Sequence, residues 1–561
     1  MAVGHAPSES PAFPVHWDDP ADAGLTYTTD MMHNPNPMCP LAQSLQDSTF
    51  YGWLKAMREH GLPFKAMHIR FQNYYQYERA EMIEPSSPEE AAAGEQALEA
   101  TMKREVSRLA DRWHGEHLPR IRQIIDRFIA IEHQISTAPL SDVESMLHEF
   151  DELRSELWTI HFRIVVPMML AMQLYAEFYA DLFGGAVADA HALLIGRPTK
   201  SVAAALGLSD LAAAARNAGL DELFAEAAPD SLIEQLQLSE SGRAFLKELD
   251  RYLDDHGYRS DLFDPMTPIW LENPSIPLAT VRSYLVNGYD ARADHEAQAR
   301  SADEALEAAR KRLAAYPEPV RQQFDGMVQA ARFAAFLQEE HNFHIDQQGL
   351  AWTRLLFLQI GRRLVTAGYV QDPGDVFMLR IAEIKHLLGS AADDESREQT
   401  RAMIAERWAG FEHAKTLTPP PFLGPPPEEP KGDNALIRGM ASFWGGPPQV
   451  ADAPDQLKGH AGSRGTVTGE AFVARNLSEA SGLKPGQILV ATTTMPAWTP
   501  FFGVAAGIVT ETGGPLSHCA IVAREYGIPA VVGAHGAMRA IQPGQIITVN
   551  GDRGIVLLSV E

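Results

Sequence analysis

The sequence predicts a multidomain chain. A large, mainly α-helical region over residues 1–415 and a compact C-terminal α/β domain over residues 456–561 are joined by a Pro-rich linker over residues 416–455. Three observations carry that prediction. Apolar residues recur at three- and four-residue spacing through the first region, the composition turns abruptly to proline near residue 416, and short β-type runs punctuated by Gly and Pro follow.

The helical spacing is clearest between Gln123 and Phe183, in IIDRFIAIEHQI and LWTIHFRIVVPMMLAMQLYAEF, where glycine is absent. It returns with more breaks from Leu206 to Asp255 and from Ala302 to Leu388. In the linker, proline supplies seven of the twelve residues from Pro419 to Pro430. In a polyproline II conformation those residues would span roughly 37 Å, a reach that suits a domain that must travel. Beyond it come GTVTGEAFVA, QILVA, GIVTE, PAVVG, IITVN and GIVLLS, with one helical run, SHCAIVAREYG, between two of them.

Composition narrows the function classes. Apolar residues make up 45% and charged residues 21% of the 561, the balance of a globular chain. The 47 Lys and Arg against 73 Asp and Glu leave a net charge of −26, which disfavours a nucleic-acid backbone or an anionic lipid surface as partner. Two cysteines, Cys39 and Cys519, build neither a disulfide framework nor a four-ligand zinc cage. The N-terminus lacks a cationic start and an apolar segment, and the apolar stretch near Ile164–Met172 is short for a membrane span. A cytoplasmic location without membrane contact is the expectation.

The segment Thr510-Glu511-Thr512-Gly513-Gly514-Pro515-Leu516-Ser517-His518 joins a predicted strand to a predicted helix and puts a histidine in the helix's first turn. Free backbone N–H groups and the positive end of the helix dipole can hold a phosphoryl group there, and Gly513 and Gly514 allow close approach. Imidazole is a competent nucleophile at neutral pH, and Ser517 suits a helix cap or a phosphate contact. From spacing alone, a histidine that only helps cap a helix explains His518 equally well.

The stretch LVATTTMPAWTPFFGVAAGIVTETGGPLSHCAIVAREYGIPAVVG, from Leu489 to Gly533, resembles the swivelling phosphohistidine domain of phosphoenolpyruvate-utilizing enzymes such as phosphoenolpyruvate synthase, pyruvate phosphate dikinase and rifampicin phosphotransferase. That resemblance makes His518 the phosphohistidine, with Gly513, Gly514, Ser517 and Arg524 as phosphate-binding candidates. For Arg524 an interdomain ion pair is an equal alternative, and Cys519 reads as a packed residue. The segments WDDPADAGLTYTTDMMHNPNPMCPL, DDHGYRSDLFDPMTPIWLENP and QEEHNFHIDQQGLAWTRLLFLQIGRRL are similar to the acceptor domain of the rifampicin phosphotransferase group. The predicted fold is thus a large α-helical acceptor domain plus a C-terminal α/β swivelling phosphohistidine domain.

No ATP-grasp segment or phosphoenolpyruvate barrel is recognisable, and GRPTKS at Gly196 has Thr199 where a phosphate loop needs Gly before its Lys. The division resembles the two-component phenylphosphate and cresol-phosphorylating synthases. It implies a separate ATP-grasp subunit that charges His518 with ATP and Mg, ATP leaving as AMP and phosphate, and a small aromatic hydroxyl compound as acceptor. The alternatives are an antibiotic or other natural product as acceptor, or a protein phosphocarrier without a small-molecule substrate.

An acceptor hydroxyl needs an apolar pocket, a base and cations near the incoming phosphoryl group. His256, Arg259 and Glu340 are the catalytic candidates beside His518, and His33, His341, His344 and Arg354 are further acceptor-domain candidates. Each has a plainer explanation: His33 as a turn histidine, His256 and Arg259 as helix-end groups bonding terminal carbonyls, and the Glu339–His344 cluster with Arg354 as a buried ion network. No metal is expected, because only Glu383 and His386 show the Glu-x-x-His spacing of bundle metal sites.

Overall fold

The computed structural model describes residues 13–184, 187–227, 231–389, 393–427, 434–451 and 453–558. The helical region is organised around α1 (Pro40–Glu59), α2 (Leu118–Ile135) and α3 (Leu140–Phe183). In α2, Ile121, Ile124, Ile125, Phe128, Ile131 and Ile135 are all buried, so the stripe that the spacing predicts is the stripe that packs. Each such side chain contributes about 1.5–3 kcal/mol by leaving water. Pro139 precedes α3, and the chain between α2 and α3 turns over Ser136–Ala138.

At 44 residues, α3 runs through the centre, with Ile160, Ile164 and Met168 in one core with Leu41 and Leu45 of α1. It is the single helix among the described residues long and apolar enough to cross a membrane, which the shorter stretch at Ile164–Met172 did not suggest. Its apolar window is 67% buried within the protein, as the core helix of a bundle would be. Further on come α4 (Lys200–Asn217), α5 (Glu240–His256), α6 (Glu318–His341) and α7 (Gln348–Thr366). A single π-helical turn, Asn342–Gln347, joins α6 to α7 without a loop.

A four-stranded antiparallel sheet within this region was not expected from the sequence. It comprises β1 (Tyr27–Thr28), β2 (Phe64–Gln72), β3 (Tyr75–Met82) and β4 (Phe422–Leu423), in the order β2-β3-β1-β4. Gln72 pairs with Tyr75 across a two-residue turn in which Asn73 and Tyr74 have φ of 48° and 68°, the left-handed pair a type I′ hairpin requires. The strands lack clean apolar alternation because much of β2 is half-buried on both faces.

β4 also corrects the picture of the linker. Tyr77 donates to the Pro420 carbonyl at 2.9 Å, Thr29 N–H to that of Pro421 at 3.2 Å, and Thr26 to that of Pro425 at 2.8 Å. The proline-rich stretch up to Pro425 is therefore fastened to the helical region and is not a free 37 Å spacer. Residues 428–430 of the predicted spacer lie outside the described residues. The helix α8 (Ala435–Trp444) is docked too, with Arg438 bound to Glu177 at 2.6 Å and Ser442 Oγ donating to Gln173 at 2.8 Å.

The C-terminal domain holds an eight-stranded sheet, β5 (Gln456–Lys458), β6 (His460–Ser463), β7 (Thr466–Val473), β8 (Ile488–Ala491), β9 (Gly507–Thr510), β10 (Ala530–Val532), β11 (Ile546–Asn550) and β12 (Ile555–Leu558). Their order is β5-β12-β11-β7-β8-β9-β10-β6, parallel from β7 to β10 and antiparallel elsewhere. β5 and β6 lie at opposite edges yet are joined by Gly459 alone, so the sheet must curl until its edges nearly meet. Helix α9 (His518–Glu525) crosses between the parallel strands β9 and β10. The domain shares a core with the helices near α4 and α5: Phe501, Phe502, Ala520 and Ala523 are buried with Leu208, Leu249, Leu253 and Tyr284.

Candidate active site

The turn from β9 into α9 is built as its sequence suggests. Ser517 is the N-cap, its hydroxyl accepting from Ala520 N–H, and Gly513 has a φ of +91°, where a Cβ would lie 2.9 Å from Ser517. At Gly514 a Cβ would come 2.2 Å from the Ser442 carbonyl, so only glycine lets α8 pass. Gly514 N–H donates to Phe443 O at 2.9 Å and Leu516 N–H to Ser442 O at 2.8 Å. The amide of Gly514 is thus committed to α8, whereas Gly513 and Ser517 border a cavity with His518. Arg524 is buried and clasps the turn from behind, donating to Pro515 O at 2.9 Å and Gly462 O at 2.6 Å. Burial pushes its guanidinium down to about 10.

His518 meets the helical region directly. Its Nδ1 lies 3.0 Å from Glu339 Oε1 near the end of α6, and its Nε2 lies 3.4 Å from Thr499 Oγ1. Glu339 is itself held by the Ser201 hydroxyl. Burial would raise the Glu339 carboxyl, but the charge and hydrogen bond of His518 and the bond from Ser201 outweigh it and hold it below the usual range. A carboxylate on Nδ1 fixes the proton there and leaves Nε2 as the nucleophilic nitrogen.

His518 opens onto a cavity of 460 Å³. Its apolar wall includes Leu45, Trp53, Leu157, Trp158, Phe162 and Val165 from α1 and α3, Met440, Phe443 and Trp444 from α8, and Met495 from the C-terminal domain. The hairpin contributes Gln76, Glu78 and Ala80, alternate residues on one face of β3. Polar side chains in the lining include Asp30, His33, Arg154, His161, Gln338, His341 and Asp346.

Asp30 Oδ2 lies 2.5 Å from His33 Nδ1, and the His33 ring stands between Phe263 and Phe443 at 5.7 and 6.3 Å. Burial would lower the imidazole, but Asp30, with weaker help from Asp346 and Glu78, raises it. Burial, then the Asp30 charge, pushes Glu78 up to about 8. Arg154 is spent on Leu45 O at 2.5 Å and Thr49 Oγ1 at 2.9 Å, and burial pushes it down to about 10.

Of the residues expected from sequence, the structure thus brings His33, His341, Gly513, Ser517 and His518 to one cavity. His256, Arg259, Glu340, His344 and Arg354 stand outside its lining. Arg259 is fully buried, donating to His256 O at 3.0 Å and Lys200 O at 2.9 Å and lying 4.8 Å above the Phe343 ring. Burial, then the Arg259 and Lys200 charges, pushes His256 down to about 3. Glu340 accepts from Lys200 N–H at 2.9 Å and lies 3.7 Å from His344. Arg354 binds both oxygens of Glu272 at 2.5 and 3.1 Å and the carbonyls of Pro265 and Met266. These groups tie the 257–272 segment to α4, α6 and α7 and so support the cavity wall.

Asp30, Glu78, Arg154, His161 and Asp346 were not singled out from the sequence. Glu383, weighed there as half of a metal motif, pairs with Arg407 at 2.6 Å. The GRPTKS segment is likewise engaged: Gly196 N–H donates to Glu525 Oε2 at 2.9 Å, and the next helix start bonds Glu340. Carboxylates stand where a phosphate would, so this segment does not fit ATP.

Residues 483–554 match the family described as PEP-utilising enzyme, mobile domain. Residues 161–339 match the rifampicin phosphotransferase fourth domain, so the chain joins a PEP-utiliser mobile domain to a helical region resembling that of rifampicin phosphotransferase. It is 32% identical over 419 residues to the uncharacterized phosphotransferase YvkC of Bacillus subtilis, covering 73% of this chain and 49% of that one. With a rifampicin phosphotransferase of Streptomyces sviceus the identity is 31% over 346 residues, covering 60% and 37%. With chondramide synthase cmdD of Chondromyces crocatus it is 32% over 555 residues, covering 98% of this chain and 14% of that one. The chain therefore spans at most about half the length of these relatives.

Proposed function

We propose that the chain is the relay and acceptor part of a phosphotransferase: His518 Nε2 takes a phosphoryl group and passes it to a hydroxyl of a natural product or antibiotic held in the 460 Å³ cavity. The observation that carries this is the contact of His518 with Glu339, which sets the mobile-domain histidine in the wall of a helical-region cavity. When His518 is charged an N–P bond forms at Nε2 as a P–O bond of ATP breaks, AMP and phosphate leaving. The N–P bond breaks as the acceptor oxygen attacks in line, and the hydroxyl proton passes to His33, which Asp30 orients. Glu339 keeps the proton on Nδ1, so the leaving group is neutral imidazole.

ATP with Mg charges His518 on an ATP-grasp subunit, and α9 reaches that station when the mobile domain leaves the helical region. The cavity falls in the size class of drug-sized ligands, and a phenol or cresol would leave most of it unfilled. The similarity to rifampicin phosphotransferases also favours the larger acceptor over the phenolic one.

Labelled phosphoramidate, which phosphorylates imidazole chemically, tests the relay without a partner. Wild type should gain one acid-labile label more than His518→Ala, exposed histidines such as His133 and His148 labelling equally in both. Rifampicin, as a hydroxylated macrocycle, should discharge it faster than phenol. Equal labelling of both proteins would overturn the relay, and faster discharge by phenol would reverse the acceptor assignment. Labelled ATP alone should give no label, and self-labelling would remove the need for a partner.

A further inference from the structure

Three lone-pair side chains converge in the cavity wall from two well-separated segments. His161 lies on α3, His341 ends α6 and Asp346 lies in the π-helical turn; one ligand atom from each falls within 4.8 Å of the others. His161 Nδ1 and Asp346 Oδ1 are 2.9 Å apart, near the ~3.0 Å between adjacent ligands of an octahedral ion with bonds of about 2.1 Å and below the ~3.4 Å of a tetrahedral one. Both atoms are buried, and neither has a hydrogen-bond partner among the described residues, since their mutual contact is too bent to be one.

The flanking contacts are those that orient metal ligands. His341 Nδ1 lies 2.8 Å from the Leu337 carbonyl, which only accepts, so Nδ1 carries the proton and Nε2 keeps its lone pair. Asp346 Oδ2 accepts from Asn342 Nδ2 at 3.0 Å, leaving Oδ1 as the unengaged oxygen. The π turn makes the convergence possible, because its wider repeat sets residue 346 over residue 341, where an α-helix would set 345. Gln338 Oε1, also buried without a partner, borders the same cavity.

We propose that His161, His341 and Asp346 bind a divalent transition-metal ion in the wall of the acceptor cavity. Two imidazole nitrogens and one carboxylate oxygen suit Zn²⁺, Co²⁺ or Mn²⁺ and leave coordination positions open towards the cavity. There the ion would hold the acceptor hydroxyl and lower its pKa, easing loss of its proton to His33 as the oxygen attacks phosphorus. That role rests on the phosphotransfer reading, whereas the binding does not.

The full chain, treated with chelator, is titrated with CoCl₂ while visible d–d absorption is followed, and with ZnCl₂ in a calorimeter. About one equivalent should bind. Asp346→Asn and His341→Gln should each weaken binding at least about tenfold, while His386→Gln, an exposed histidine elsewhere, should leave it unchanged. Absence of stoichiometric binding by wild type, or binding undiminished in both variants, overturns the site whatever the fate of the relay. Chelation should also slow discharge of phosphoramidate-charged His518 without reducing its label. Discharge indifferent to chelator would overturn the ion's part in transfer.

Discussion

His518 Nδ1 and Glu339 Oε1, from the two ends of the proposed relay, are 3.0 Å apart. The carboxylate favours the protonated Nδ1 of a phosphorylated ring, and an imidazole that departs neutral departs faster than an imidazolate. Glu339→Gln preserves size and hydrogen bonding but removes the charge. It should slow discharge of phosphoramidate-charged His518 by about tenfold to a hundredfold while leaving the amount of label unchanged. An unchanged discharge rate would reduce Glu339 to a docking contact.

The Asp30–His33 pair makes a second claim on the same cavity. His33→Asn removes the proton acceptor and leaves a small polar group. Transfer from charged His518 should fall by about 10²–10⁴-fold, with acceptor affinity, read by calorimetry, changed far less. Equal losses in both would make His33 a binding group.

How much of this was legible in the sequence depends on the range over which residues act. The ETGGPLSH turn and the stripe Ile121, Ile124, Ile125 and Phe128 are local patterns, and both form as read. Glu340 and His344 do lie one turn apart, at 3.7 Å, but outside the cavity lining. A π turn inserted after His341 rotates the following residues, and no propensity announces it. His161 sits in the apolar run TIHFRIVV and reads as a core position; its partner Asp346 is 185 residues away in sequence. The cavity is assembled from segments whose meeting is a tertiary fact. The proline run likewise signals extension, while its anchoring depends on Tyr77 and Thr29 far upstream.

Docking of the mobile domain has its own anchor in Asp261. One carboxylate oxygen accepts from the Trp498 indole at 2.7 Å and the other from Leu477 N–H at 3.0 Å. Burial raises this carboxyl, and the two bonds work against it. Asp261→Ala leaves both donors unpaired at a cost of about 1.5–3 kcal/mol per bond. Amide exchange over residues 474–498 should quicken at least tenfold, while exchange in α2 and α3 stays put. Equal exchange in the two proteins would mean that shared apolar packing alone holds the domains together.

Acid should charge buried imidazoles that the fold keeps neutral. Burial pushes His117 down to about 4 and His256 down to about 3, aided by neighbouring arginines, and it lowers His60 and His191 as well. Unfolded imidazoles bind protons below about pH 6.5, whereas these folded ones stay neutral, so the unfolded state takes up more protons and stability falls with pH. The contribution is fully present above about pH 6.5 and drains away towards pH 4, on the order of a few kcal/mol each for His117 and His256. His33, raised by Asp30, and the buried Glu78 and Glu525, pushed up to about 8 and about 7, work in the opposite sense. The urea midpoint should therefore fall less, or rise more, between pH 7.5 and 5.0 in His117→Gln than in wild type. An equal change of midpoint in the two proteins would mean that His117 reaches protons in the folded state.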